Sequence, residues 1–195
     1  MDLVPIVFSS GWASGMNAYL VVLVLGIADR VGGFTQIPDV LGSAPVLVAA
    51  AVLYAVEFVT DKIPYVDSTW DAISTVIRPT IAAVLALLAS GDADSLQQAA
   101  YAVLGGSTAL ASHATKSGAR LAINSSPEPV TNIAASLTED GLALGVVLVL
   151  IHHPWIALTI SGILLVLGLI LLVVVLRYVR RGWRRWKGLP PLALR

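Results

Sequence analysis

The sequence predicts an all-α fold, a polytopic transmembrane bundle of about six spans. Three observations carry that prediction. The chain of 195 residues is 57% hydrophobic and only 12% charged, where a soluble domain is roughly a quarter charged. Its apolar residues form long runs instead of amphipathic stripes. Ile156 to Leu176 holds no charge at all, and about 20 such residues cross a bilayer core. Finally, the ionisable residues Asp71, Arg78 and the Glu139-Asp140 pair stand inside otherwise apolar stretches. In hydrocarbon such a side chain costs about 3 kcal/mol or more, so it faces a partner or a water-filled cavity.

The elements follow in order. A first helix is expected over roughly Gly11 to Ala28. Its Gly11 and Gly15 have the small-xxx-small spacing that lets helices approach closely, and Asn17 and Tyr19 add polar atoms. A second covers about Pro45 to Asp61, with Glu57 and Asp61 four apart on one face and Lys62 just beyond. A third covers Thr69 to Ala89. Asp71 and Arg78 share its face about 10 Å apart along the axis, and Pro79 removes a backbone donor beyond them. The fourth, Gln97 to Ile123, carries His113, Lys116 and Arg120 as one stripe and leads into Asn124. The fifth, Val130 to Ile151, places Asn132, Ser136 and Glu139 on one face, with Asp140 adjacent. Glu139 lies about 14 Å from the helix start, close to the middle of a core about 30 Å thick. The sixth, Trp155 to Tyr178, is polar only at its basic end. Turn signals separate them at Val31-Gly32-Gly33, Ile63-Pro64, Gly91-Asp92, Ser125-Ser126-Pro127 and His153-Pro154.

Charge patterning suggests an orientation. Seven of the twelve basic residues lie between Arg177 and Arg195, which reads as a stop-transfer signal with a cytoplasmic C-terminus. The chain therefore divides into a transmembrane domain, 1–182, and a basic cytoplasmic tail, 183–195, that attracts anionic lipids. Trp183 and Trp186 fit an interfacial belt, and no nucleic-acid partner is expected. Six spans put the N-terminus in the cytoplasm too. The opening MDLVPIVFSS lacks a basic n-region, so no cleavable signal peptide is expected. Cysteine is absent, which excludes disulfides and thiolate chemistry.

On this topology Asn17, Glu57, Asp61, Lys62, Asp71, Arg78, His113, Lys116, Arg120, Asn124, Asn132, Glu139 and Asp140 gather in the cytoplasmic half. They predict a polar pocket open to the cytoplasm, closed at mid-depth by a pair between Arg78 and Glu139 or Asp140. The hairpins formed by helices two and three and by helices four and five echo one another, as an internal repeat would.

These blocks, Gly11-x-x-Ser14-Gly15-x-Asn17-Ala18, Glu57-Phe58-Val59-Thr60-Asp61-Lys62-Ile63-Pro64, Trp70-Asp71 with Ile77-Arg78-Pro79, His113-x-x-Lys116-x-x-x-Arg120, Asn124-x-Ser126-Pro127-Glu128-Pro129 and Glu139-Asp140, resemble a family of small polytopic bacterial inner-membrane proteins classed only as a domain of unknown function. The resemblance spans about residues 11 to 153. It implies this layout and supplies no activity.

Three functions compete. A transporter or channel for a small solute or ion accounts for opposed charges at mid-depth, and Lys116 with Arg120 suits an anionic or phosphate-bearing substrate. A membrane-embedded enzyme acting on a lipid or head group would use His113 with Glu57 and Asp61 as an acid-base pair or metal ligands. That arrangement matches no known metal motif, and no metal or other cofactor is assigned. A scaffold would act through the basic tail. Transport is the favoured reading, and a homodimer is expected from the small number of helices available to enclose a path.

Overall fold

A computed structural model describes residues 3–32, 36, 39–63, 65–124 and 129–187, with only the backbone described at 129 and 184–186. The turn residues Gly33, Pro64 and Ser125 to Glu128, and the tail beyond 187, lie outside these. Among the described residues there are six helices: α1 (Leu3–Arg30), α2 (Ala44–Thr60), α3 (Val66–Ser90), α4 (Ser95–Ile123), α5 (Pro129–His152) and α6 (Pro154–Trp186). α1, α3, α5 and α6 are long and apolar enough to cross a membrane, while α2 is apolar but shorter. The protein is thus an all-helical membrane protein.

Local chemistry explains the boundaries. Pro45 and Pro154 stand in the first turns of α2 and α6, where their missing N–H costs nothing. Asp94 caps α4, its carboxylate accepting from Leu96 N and Gln97 N at 3.0 Å. α3 runs on through Pro79. α1 begins eight residues before the expected Gly11, with Pro5 in its first turns.

Most of the bundle alternates in direction. α2 and α4 finish, and α3 and α5 begin, at one end, which is the polar end. α1 is the central element and packs against each of the other five. Within it Asn17 has extended backbone angles, φ −155° and ψ 98°. Before this residue, α1 runs alongside α4: Val7 and Gly11 lie against Gly105, and Gly15 against Ala109 and Ser112. Ser9 also meets Ser161, early in α6. After it, Tyr19 and Val22 share a cavity with Leu53 and Val46 of α2, and Gly26 lies against Leu41 and Leu47. Rising numbers in α1 therefore meet rising numbers in α4, then falling numbers in α2. Since α2 and α4 run the same way, the two halves of α1 form a V. Its tip is Asn17 and both its arms open toward the far end.

This overturns one expectation. α1 is not a plain crossing, and its start lies at the opposite end of the bundle from the finish of α6. Non-helical backbone at membrane depth survives where protein surrounds it and satisfies its polar groups. Here Ala13 to Ala18 are all buried.

Candidate functional site

The tip of the V leaves backbone groups without helical partners, and neighbouring side chains satisfy them. Arg78 Nη1 donates to Gly15 O at 3.0 Å and Lys116 Nζ to Met16 O at 3.1 Å. Ser112 Oγ donates to Trp12 O at 2.8 Å. The first arm thus presents its negative C-terminal end to two cations, as the helix dipole favours. The second arm begins at Asn17, whose Oδ1 accepts from Leu20 N at 3.0 Å in the manner of an N-cap. The same amide donates from Nδ2 to Asp140 Oδ1 at 2.9 Å, so a carboxyl faces the positive end of the second arm.

Around this tip the candidate residues converge. Arg78 pairs with Glu57 at 2.6 Å and lies 3.3 Å from Asp71. The second contact is proximity without a hydrogen bond, for neither Asp71 carboxylate oxygen has a hydrogen-bond partner among the described residues. Lys116 pairs with Asp61 at 2.6 Å and lies 3.7 Å from both Glu57 and Glu139. Arg120 is the widest junction. Its Nη2 and Nε engage Glu139, the shortest contact being 2.6 Å. Its Nη1 donates to Asp61 O and Asn132 Oδ1, each at 2.7 Å, and to Asp67 Oδ2 at 3.3 Å. Asn124 Nδ2 completes this corner by donating to Asp67 at 3.0 Å. Lys62 lies at the edge, half-buried, 3.0 Å from the centroid of the Phe58 ring, and donates to Phe58 O and Ser136 Oγ. Every other charged member is buried, Glu57 completely.

Three expectations about this site change. Arg78 does not pair with Glu139 or Asp140: Glu57 reaches it from α2, while Glu139 faces Arg120 across the α4–α5 hairpin. Lys116 and Arg120 are not free to hold phosphate, because carboxylates and backbone carbonyls occupy their donors. His113 is not placed beside Glu57 and Asp61 as a ligand or base. Arg78 Nη1 lies 2.8 Å from His113 Nδ1, and a guanidinium only donates, so Nδ1 accepts. That puts the ring proton on Nε2, 3.0 Å from Asp71 O. The imidazole is neutral and both nitrogens are engaged. Among the described residues no group of His, Cys, Asp and Glu could hold a metal ion.

Sequence reasoning passed over Asp67, which is fully buried and joins α3 to both Arg120 and Asn124. The signal was present: Asp67, Asp71, Ser74 and Arg78 follow one helical face. Two clefts of about 490 and 310 Å³ have apolar walls, and the described polar side chains interlock with one another.

The same polar blocks that build this network run through most of the chain, and residues 4–174 match a family model described as a domain of unknown function, DUF4126. The chain belongs to the DUF4126 family. The matched segment contains the whole network and stops before the basic end of α6. No curated protein and no solved structure matches this DUF4126 chain. Its chemistry must therefore be argued from the network itself. The two hairpins of the DUF4126 fold carry opposite charge patterns. In one, an acid near the end of α2 meets a base in α3, and in the other a base near the end of α4 meets an acid in α5.

Proposed function

We propose that this protein is a transporter or channel for a small solute or ion in the bacterial inner membrane, with the charged network as the core of its path. The observation that carries this reading is the break in α1. A buried helix doubles back at mid-depth and offers the two backbone ends at its break to the ionisable side chains Arg78, Lys116 and Asp140 of three other helices. Discontinuous helices with ion-facing termini are a recurrent solution for binding ions within a membrane. The polar end is cytoplasmic on this reading, since the basic end of α6 leaves there. The N-terminal segment, which has no basic residue before Arg30, then lies outside.

The charge balance favours a cation over an anion. Lys116 and Arg120 are committed to acids, so a phosphate would have to displace carboxylates, whereas acidic oxygens of Glu57, Asp61, Asp71 and Asp140 lack hydrogen-bond partners. The enzyme reading loses its main support, since both ring nitrogens of His113 are already hydrogen-bonded within the network. A role as a scaffold acting through the tail gains none from the buried network.

Liposomes containing the full chain test the reading. Proton flux driven by a potassium diffusion potential, and uptake of inorganic phosphate, are measured in parallel. Flux above that of protein-free vesicles is expected in the proton arm. It should fall at least about tenfold, a barrier change of about 1.4 kcal/mol, in Arg78→Ala and Glu139→Gln proteins that retain native circular dichroism. Turnover of a lipid head group without flux in either arm would replace transport by an enzyme.

A further inference from the structure

The described part of the network contains six buried carboxylates, Glu57, Asp61, Asp67, Asp71, Glu139 and Asp140, against three buried cations, Arg78, Lys116 and Arg120. Adding half-buried Lys62 gives six acids to four bases, and His113 contributes no charge. An unbalanced buried carboxylate is expensive, and the usual resolution is that it takes up a proton. The pairing identifies where. Glu57, Asp61, Asp67 and Glu139 each have a cation within 4.0 Å with at least one good hydrogen bond. Asp71 has proximity to Arg78 alone. Asp140 has no ion pair among the described residues; its one partner is the neutral Asn17 amide, and its Oδ2 has none although the residue is only 8% exposed.

We infer that Asp140 is a reversible proton-binding site, neutral in this conformation, that ties protonation to the position of the α1 tip. Oδ1 accepts from Asn17 and Oδ2 carries the proton. Loss of that proton to solvent at the polar end leaves a carboxylate that needs a cation. The charges acting on it come from Lys116 on α4, Asp61 and Lys62 beyond α2, and Glu57 within α2, with the neutral Tyr54 also beside it. Arg120 on α4 is committed to the adjoining Glu139. α6 offers no titratable group between Pro154 and Leu176. Lys116 is already bonded to Asp61 and Met16 O, whereas Lys62 rests on a phenyl ring, a carbonyl and a hydroxyl and has no carboxylate partner among the described residues. Ionisation thus strengthens the bond that Oδ1 accepts from Asn17 and draws Lys62 toward Oδ2, so the charge on Asp140 sets how firmly the start of the second arm of α1 is held. That coupling deepens the transport reading and rests on it, whereas the protonation itself does not.

Infrared difference spectroscopy on the full chain in lipid tests the site. A C=O stretching band of a protonated, buried carboxyl is expected at neutral pH. It should lose intensity in Asp140→Asn, persist unchanged in Glu139→Gln, and shift in frequency in Asn17→Ala, which removes the hydrogen bond to Oδ1. Asp140→Glu, which keeps the acid should the amide fail to fold, should move the band instead of weakening it. A spectrum without such a band, or with one unchanged by both Asp140 substitutions, would overturn the assignment. The band with no proton flux would retain the site and sink the transport reading, and flux without the band would do the reverse.

Discussion

Arg120→Met is expected to destabilise the folded protein by about 3–5 kcal/mol, the cost of leaving buried charges uncompensated after one partner is removed. The size follows from what the guanidinium holds. It joins Glu139 and Asn132 of α5, Asp67 of α3 and the carbonyl of Asp61 at the end of α2. Methionine keeps much of the volume and the apolar stem, so the loss is electrostatic and not a cavity. Glu139 would retain Lys116 only at 3.7 Å. Arg120→Lys should recover little, because a single ammonium cannot reproduce a fork that bonds in three directions. The double variant Arg120→Met/Glu139→Gln should recover part of the loss, giving a coupling of about 1–3 kcal/mol. Equilibrium unfolding in mixed micelles, followed by circular dichroism, measures all of these. A cost below about 1 kcal/mol for Arg120→Met, the scale of a solvated surface pair, would mean that water permeates the network and that it is an open chamber after all.

How much of this was legible in the sequence depends on the kind of information. Long apolar runs and turn signals marked α2 to α5 to within a few residues at both ends, whereas α1 starts eight residues before the expected Gly11 and α6 runs eight residues past the expected Tyr178 into its basic end. Helical periodicity also identified which polar side chains point inward: Glu57 with Asp61, Asp71 with Arg78, and the His113, Lys116, Arg120 stripe are all buried. Partners were another matter. Periodicity assigns a face and says nothing about which helix lies opposite, so Arg78 was matched with the wrong acids. The V of α1 was hidden for a related reason. Hydropathy is blind to direction, and a 28-residue apolar segment scores as a crossing whether it goes straight or doubles back. The reversal depends on the backbone of Asn17. Gly11 and Gly15, just before it, hinted only at close packing.

That close packing sets the second large effect. Gly15→Ala, a change of one methyl group, is expected to cost at least about 3 kcal/mol, the upper range for overpacking a dense interior. The added Cβ would overlap both Ser112 Oγ and the carbonyl of Ala109, and would lie 2.9 Å from His113 N. A hydroxyl can rotate away; backbone of α4 cannot, so the first arm of α1 must retreat. Retreat pulls Gly15 O from Arg78 and Met16 O from Lys116, which leaves the carbonyl end of the arm uncapped and the two cations short of an acceptor. The packing defect and the electrostatic defect are therefore one event. Gly145→Ala and Gly162→Ala are the controls. A Cβ at either position meets nothing within 4 Å, and each should shift stability by no more than about 0.5 kcal/mol. The same unfolding measurement separates them, and single-cysteine labelling, straightforward in a chain without native cysteine, reports whether the arm has moved. If Gly15→Ala behaves like its controls, the first arm does not lie against α4. The V then has no support, and neither does the binding site assembled at its tip.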